Sequence, residues 1–460
     1  MRSGLLCTSL LLWGCAAVGP DYAPPPMTVP IEFDNAVEDL FVSTAPTGEL
    51  WRSLNDPTLD QLIARALTSN TDIAIAVARM DESRALRGLT RYSWFPTVTA
   101  SSSADRNRAS DEDPFAFPGL GVIDIYRFGF DSTWEIDLFG SLRRQAERIQ
   151  RIVQADEATL HDLQRTIVGE VAQSYFTLRG AQAQLAVQRT NQENQARSVS
   201  ILQSTLDAGR GTALDVARAR SLERTVAAAI PATEATVALA QQRLAVLTAQ
   251  PSADLADPLS SGALPVMPEV INIGTPQDWL RRRPDVRAAE RQLAAATSGI
   301  GVEVAEYYPK LSLDGSFGYN GADVAAFGDD NARRWRFGPV LSWRFLDFGR
   351  VKRNVMAAQA REREAIAVFQ GVLLRALEDM ESALVSYRTT SQTALAVTQA
   401  LAASTQASDL ARLRFENGAS NYLEVLDAER TRLELADQHA QALTARATAL
   451  TAVYKALAAD

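Results

Sequence analysis

Two hydrophobic periods follow one another along this chain, and they do so twice. Between Ser141 and Asp207 the apolar positions Leu160, Leu163, Ile167, Val171, Tyr175 and Leu178 step by three or four residues, the seam of a coiled coil. No proline interrupts those 67 residues, so the pattern predicts one helix, about 100 Å long at the α-helical rise per residue. A second proline-free stretch predicts another long helix over about 350–416. Each is closed by a glycine, Gly209 or Gly418, which reads as a helix stop and turn. Return helices are predicted over about 212–249 and about 420–457. In the first, Ile230, Val237 and Leu244 fall seven apart, and Pro231 predicts a kink.

Ahead of each long helix the period changes to two. Tyr126, Phe128, Phe130, Ser132, Trp134 and Ile136 alternate with Arg127, Gly129, Asp131, Thr133, Glu135 and Asp137. Leu311, Leu313, Gly315, Phe317 and Tyr319 alternate with polar or glycine neighbours, and Trp335, Phe337, Pro339, Leu341, Trp343 and Phe345 alternate with Arg334, Arg336, Gly338, Val340, Ser342 and Arg344. The predicted strand pairs are about 97–104 with 126–137 and about 310–319 with 334–346; the strand over 97–104 is polar and faint. Such alternation also fits a soluble sandwich. The aromatic content of one face, with Trp and Tyr near strand ends, and strands of about 9–11 residues favour a lipid-facing barrel. The expected membrane-facing set is Tyr126, Phe128, Phe130, Trp134, Phe317, Tyr319, Trp335, Phe337, Trp343 and Phe345. Four strands cannot close a barrel, since the smallest have about eight, so the chain is expected to assemble with copies of itself.

The two halves are copies. In AGRGTALDVARA, Gly209, Leu214, Asp215, Val216 and Ala219 correspond to Gly418, Leu423, Glu424, Val425 and Ala428 of NGASNYLEVLDA, an offset of 209 residues shared by WEIDLFG at Trp134 and WRFLDFG at Trp343. Upstream, Asp72 and Pro96 match Asp285 and Pro309 at 213. A helix over about 71–92 follows a break near Asn70, and another, to about Glu306, starts at Pro284 after a break at Arg283. The expected organisation is therefore a first repeat over 51–250, a proline-rich linker over 251–275 and a second repeat over 276–460.

Composition adds an address. Residues 1–14 read as a signal peptide, and Cys15 ends LWGC, a lipobox-like string in which Trp13 is atypical. Cys15 is the expected lipidation site, followed by a proline-rich tether over 15–50; Ala16 is not the Asp that retains lipoproteins in the inner membrane. A single acyl chain holds a protein to a membrane only marginally. Net charge is −9, which argues against nucleic acid as a partner. His161 and His439 are isolated in helical sequence, so neither a metal site nor any cofactor is expected. No apolar run after the signal is long enough for a transmembrane helix.

The start CAAVGPDYAPP, the strand ends WEIDLFG and LSWRFLDFG, the helix start RRPDVRAAERQL and both glycine turns resemble the outer membrane efflux protein family, which is TolC-like, and within it the lipoprotein branch. The resemblance implies an α+β membrane protein. Its fold would be a trimeric 12-stranded outer membrane β-barrel, four strands per chain, continuous with a long periplasmic α-helical coiled-coil barrel and carrying an internal twofold repeat. It implies a passive exit duct of a tripartite pump in a Gram-negative outer membrane, not an enzyme. The implied partners are two further copies, outer membrane lipids, a periplasmic adaptor and an inner membrane RND-type transporter that exports drugs, toxic compounds or metal ions. Gly209, Arg210, Gly211 and Thr212, with Gly418, Ala419, Ser420 and Asn421, would form adaptor-contacting tips. Asp409 and Arg412, facing Ser200 and Gln203 in the first copy, would form a periplasmic gate. A type I protein secretion duct and a non-conducting envelope lipoprotein are the alternatives.

Overall fold

The computed structural model describes residues 17–26, 29–37, 39–44, 50–108, 110, 112, 121–255, 259–260 and 262–457. The signal segment and Cys15 lie outside these residues. The chain divides into two compact units, one from Met1–Pro26, Arg79–Glu157 and Ala288–Gln370, the other from Met27–Ala78, Ala158–Arg287 and Gly371–Asp460. The elements in chain order are β1 Phe41–Val42, α1 Pro57–Ser69, α2 Thr71–Tyr92, β2 Thr97–Arg108, β3 Val122–Ile136, α3 Ser141–Asp207 and α4 Ala213–Leu247. Then come β4 Ile271–Asn272, α5 Pro276–Arg282, α6 Pro284–Ala305, β5 Lys310–Gly321, β6 Arg333–Ser342, α7 Phe348–Glu416 and α8 Tyr422–Leu457.

The first unit holds an antiparallel sheet of order β2-β3-β5-β6. Its two hairpins share one register: Thr97 opposes Thr133 and Val98 opposes Ser132, and at the repeat offsets Lys310 opposes Ser342 and Leu311 opposes Leu341. The corners are copies too, since the Trp134 indole donates to Trp94 O at 2.9 Å and the Trp343 indole to Tyr307 O at 3.0 Å.

Several boundaries differ from the sequence pattern. β2 runs on to Arg108 and β3 begins at Val122, because charged residues beyond the predicted ends pair across the strands: Asp105 with Arg127, and Arg106 with Asp124 at 3.6 Å. β6 stops at Ser342, so Trp343 and Phe345 leave the ladder; the indole bond of Trp343 and the turn closed by Asp347 N to Arg344 O at 3.0 Å lead into α7. α4 ends at Leu247 and runs through Pro231 as one helix, with that residue exposed.

In the second unit the helix breaks are built around buried polar residues. Asn70 accepts from the Asp72 and Ile73 amides and donates to Leu247 O at 2.9 Å, which caps α2 while tying it to the end of α4. At the equivalent break Arg283, only 2% exposed, bonds Asp285 and Asp379 and lies over the Trp279 ring at 5.1 Å. Part of the proline-rich segment is pinned here. The Asp34 and Asn35 amides donate to Glu381, Phe33 packs edge-on against Trp279, and β1 pairs in parallel with β4. Gly180 of α3 lies so close to Thr444 of α8 that any Cβ would collide with it.

Candidate functional site

Two surfaces of the chain carry the chemistry that the sequence pattern singled out, a sheet with unlike faces and a pair of helix turns. On the sheet, register brings Phe130 opposite Phe317 and Phe317 opposite Trp335, with Phe128 opposite Tyr319 and Phe337 opposite Gly315. Phe128, Phe130, Trp134, Phe317, Trp335 and Phe337 are all exposed, while Tyr126 and Tyr319 are half-buried. One face is thus a continuous aromatic surface, the pattern of a lipid-facing strand set. The opposite face carries Arg127, Asp131, Asp314, Ser316, Arg334 and Arg336 at adjacent register positions. Trp343 and Phe345 are exposed beyond the strand end. Among the described residues no helix is long and apolar enough to cross a membrane, and no group of three potential metal ligands occurs.

The two turns are built alike because their sequences are copies. Gly209 and Gly418 adopt φ +72 and +71, left-handed values that a side chain disfavours. The Gly209 amide donates to Leu206 O and the Arg210 amide to Thr205 O; the Gly418 and Ala419 amides repeat this on Phe415 O and Arg414 O. Each is a Schellman stop. Thr212 then caps α4 by accepting from the Asp215 amide at 3.1 Å, and Asn421 accepts from the Glu424 amide at 3.3 Å. Leu202, Val216, Ala219, Tyr422 and Val425 form one core beneath both turns. Arg210, Thr212, Ala419 and Asn421 stay exposed, Gly211 and Ser420 are half-buried, and Leu214 and Leu423 project from equivalent positions.

Above the turns, Asp409 and Arg412 do not pair with one another. Arg412 instead donates to Glu429 of α8, whose carboxylate also accepts from Arg432 at 2.9 Å and from Ser408. Burial works against the charge of Glu429, but Arg432 first, then Ser408 and Arg412, hold its carboxyl below the usual range. The neighbouring Tyr422 hydroxyl is raised by burial and by Glu429 and Asp215. Asp409 is left exposed. The sequence pattern missed Glu429, although the repeat carries a signal for it. Arg412 and Glu429 correspond at 209 residues to Gln203 and Arg220, which also bond one another, at 3.0 Å.

The outer membrane efflux protein profile matches residues 62–250 and again 275–459, one match for each repeat. Nodulation protein T of Rhizobium leguminosarum bv. trifolii is 28% identical over 92% of this chain and 90% of its own length. Outer membrane protein OprJ of Pseudomonas aeruginosa is 28% identical over 97% of this chain and 93% of its own. Among solved structures, the outer-membrane channel OprN superposes with a TM-score of 0.90 at 35% identity, covering 97% of this chain and 99% of that one. With two profile matches that coincide with its two structural copies, the chain belongs to the outer membrane efflux protein family.

Proposed function

We propose that this outer membrane efflux channel works as a trimer, a passive exit duct for small molecules delivered by an inner membrane transporter through a periplasmic adaptor. The observation that carries this reading is the sheet: an aromatic outer face, a charged inner face and two edges, β2 and β6, that lack a partner strand among the described residues. Three copies supply 12 strands, enough to close a barrel around a polar lumen. Acyl chains on Cys15 add a second hold on the outer membrane. The turns at Gly209–Thr212 and Gly418–Asn421, with Leu214 and Leu423 exposed beside them, offer the adaptor two equivalent rigid contacts per chain. Asp409, free of Arg412, contributes one carboxylate per chain to a ring that narrows the duct and favours cations.

Purified protein in planar bilayers tests this directly. It is expected to conduct as a trimer, with larger conductance and weaker cation selectivity in Asp409→Ala. Trimers that insert and never conduct would overturn the duct, and an unchanged Asp409→Ala channel would remove the gate alone.

A further inference from the structure

Ala17 to Tyr22, shortly after Cys15, are held in a built socket. Arg144, in the first turn of α3, is 5% exposed, and its guanidinium faces the N-terminal segment. It donates to Val18 O at 3.0 Å, Gly19 O at 3.3 Å and Ala17 O at 3.4 Å, and pairs with Asp21 at 2.8 Å and Glu147 at 2.9 Å. Burial opposes this charge, and the bonds to Asp21 and Glu147 more than offset it. The Val18 amide donates to Phe139 O at 3.1 Å, and the Tyr22 hydroxyl to Glu290 at 3.1 Å.

Three glycines make room for the segment. Gly19 has φ +92 and packs against Gly301 of α6, while a Cβ on Gly301 would lie 2.8 Å from the Arg144 stem and 2.9 Å from Val18 O. A Cβ on Gly140 would lie 2.5 Å from Ala17. Three backbone carbonyls focused on one buried guanidinium give the segment a fixed course from Ala17 onward.

Beside this socket lies an apolar shelf. Phe139 stacks on Tyr308 with ring centroids 4.6 Å apart, and both Tyr308 and Leu138 are exposed. Ala17 stands two positions after the sulfur-bearing residue, a reach of about 7 Å at full extension. We propose that Arg144, with Gly140, Gly19 and Gly301, forms a socket that fixes the acylated N-terminus at the foot of the sheet, so that the acyl chains of Cys15 lie on the shelf of Leu138, Phe139 and Tyr308. This rests on the reading that Cys15 is acylated. The lipid then acts as a fixed part of the membrane belt, where a free tether would let it wander over the length of the proline-rich segment.

A photoreactive benzoylphenylalanine at Leu138 tests the placement, with one at Trp335, about 26 Å along the sheet from Trp343, as the control. Protein isolated from membranes is irradiated and digested, and the Cys15 peptide is followed by mass spectrometry. Cross-linking of the acyl chain is expected from position 138 and not from 335. In Arg144→Met, which keeps the apolar stem but loses every guanidinium bond, it is expected to fall at least about tenfold, the weight of a single charged hydrogen bond. Gly19→Val, which leaves Arg144 in place and drives the segment off Gly301, is expected to do the same, so a folding defect of the first variant does not decide the matter. Equal cross-linking from both positions, or no change in both variants, overturns the socket. An unmodified Cys15 overturns the acylation instead, and hydrogen exchange of the Val18 amide then still reports the socket: protected in the native chain, exposed in Arg144→Met.

Discussion

At the scale of single residues, the tip region depends on one buried carboxylate. Glu429 is faced by Arg412 and Ser408 from α7, by Arg432 and Tyr422 of its own helix and, through Tyr422, by Asp215 of α4. Its folded pKa is depressed, so the unfolded chain binds the proton more tightly. The stabilisation is therefore present above the unfolded value of about 4.3 and lost as pH falls through the folded one. The protection factors of the amides from Phe415 to Val425, which divide out the intrinsic pH dependence of exchange, should fall on acidification below that value, while in Glu429→Gln they should already be lower at neutral pH by about 1–3 kcal/mol of local stability and nearly flat with pH. A native-like acid response in Glu429→Gln would show that another group titrates. Asp409 and Arg412 were legible in the sequence as neighbours one helical turn apart at the level expected for a gate. The true partner of Arg412 lies 17 residues onward, across the glycine turn, where no local spacing rule reaches.

At the scale of elements, legibility followed the length of the repeating pattern. The long helices were readable because nineteen turns of unbroken periodicity, roughly, leave no alternative, and their stops because a glycine at positive φ has a specific chemistry. The strands were readable in kind, since alternation sorts aromatic from charged faces, but their ends were not. Charged residues that look like loop extend β2 and β3 by pairing across the ladder, and an aromatic run that looks like strand beyond Ser342 is turned aside by an indole hydrogen bond. The glycine stops make a separable prediction. Gly418→Ala forces a Cβ into a left-handed conformation and should cost the α7–α8 turn about 1 kcal/mol. Nothing lies within 4 Å of the added Cβ, so the effect should be confined to backbone strain and appear as faster exchange at Ala419 alone among the capping amides, with the α3–α4 turn at Gly209 unchanged. Equal loosening of both turns would mean that their shared core of Leu202, Val216 and Tyr422, and not the stop itself, sets the local stability.

At the scale of the whole molecule, the repeat specifies how one chain meets the next. Inside the chain, the first hairpin joins the second through β3 and β5, with Ser132 opposite Gly315 and Phe130 opposite Phe317. Because the hairpins are copies, a closed ring is most uniform when the second hairpin joins the first hairpin of a neighbouring chain in the same way. The offsets then translate the junction: Ser132 becomes Leu341, Gly315 becomes Ser102, and β6 of one chain pairs with β2 of the next with Leu341 opposite Ser102. Pairing also removes the two edges that would otherwise invite aggregation. Directly opposed residues on antiparallel strands lie about 4.5–5.5 Å apart, within disulfide range, whereas a shift of two residues opens the gap to about 7–8 Å. A chain carrying Ser102→Cys and Leu341→Cys should therefore form covalent trimers on mild oxidation in membranes, while Ala104→Cys with Leu341→Cys should remain separable on a non-reducing gel. Cys7 and Cys15 are the chain's other cysteines, so a background with Cys7→Ser and Cys15→Ser leaves the engineered pair as the sole source of cross-links. Strong linkage of the 104 and 341 pair with none at 102 and 341 would show that the junction between chains departs from the junction within them, and the six hairpins would then be unequal around the barrel.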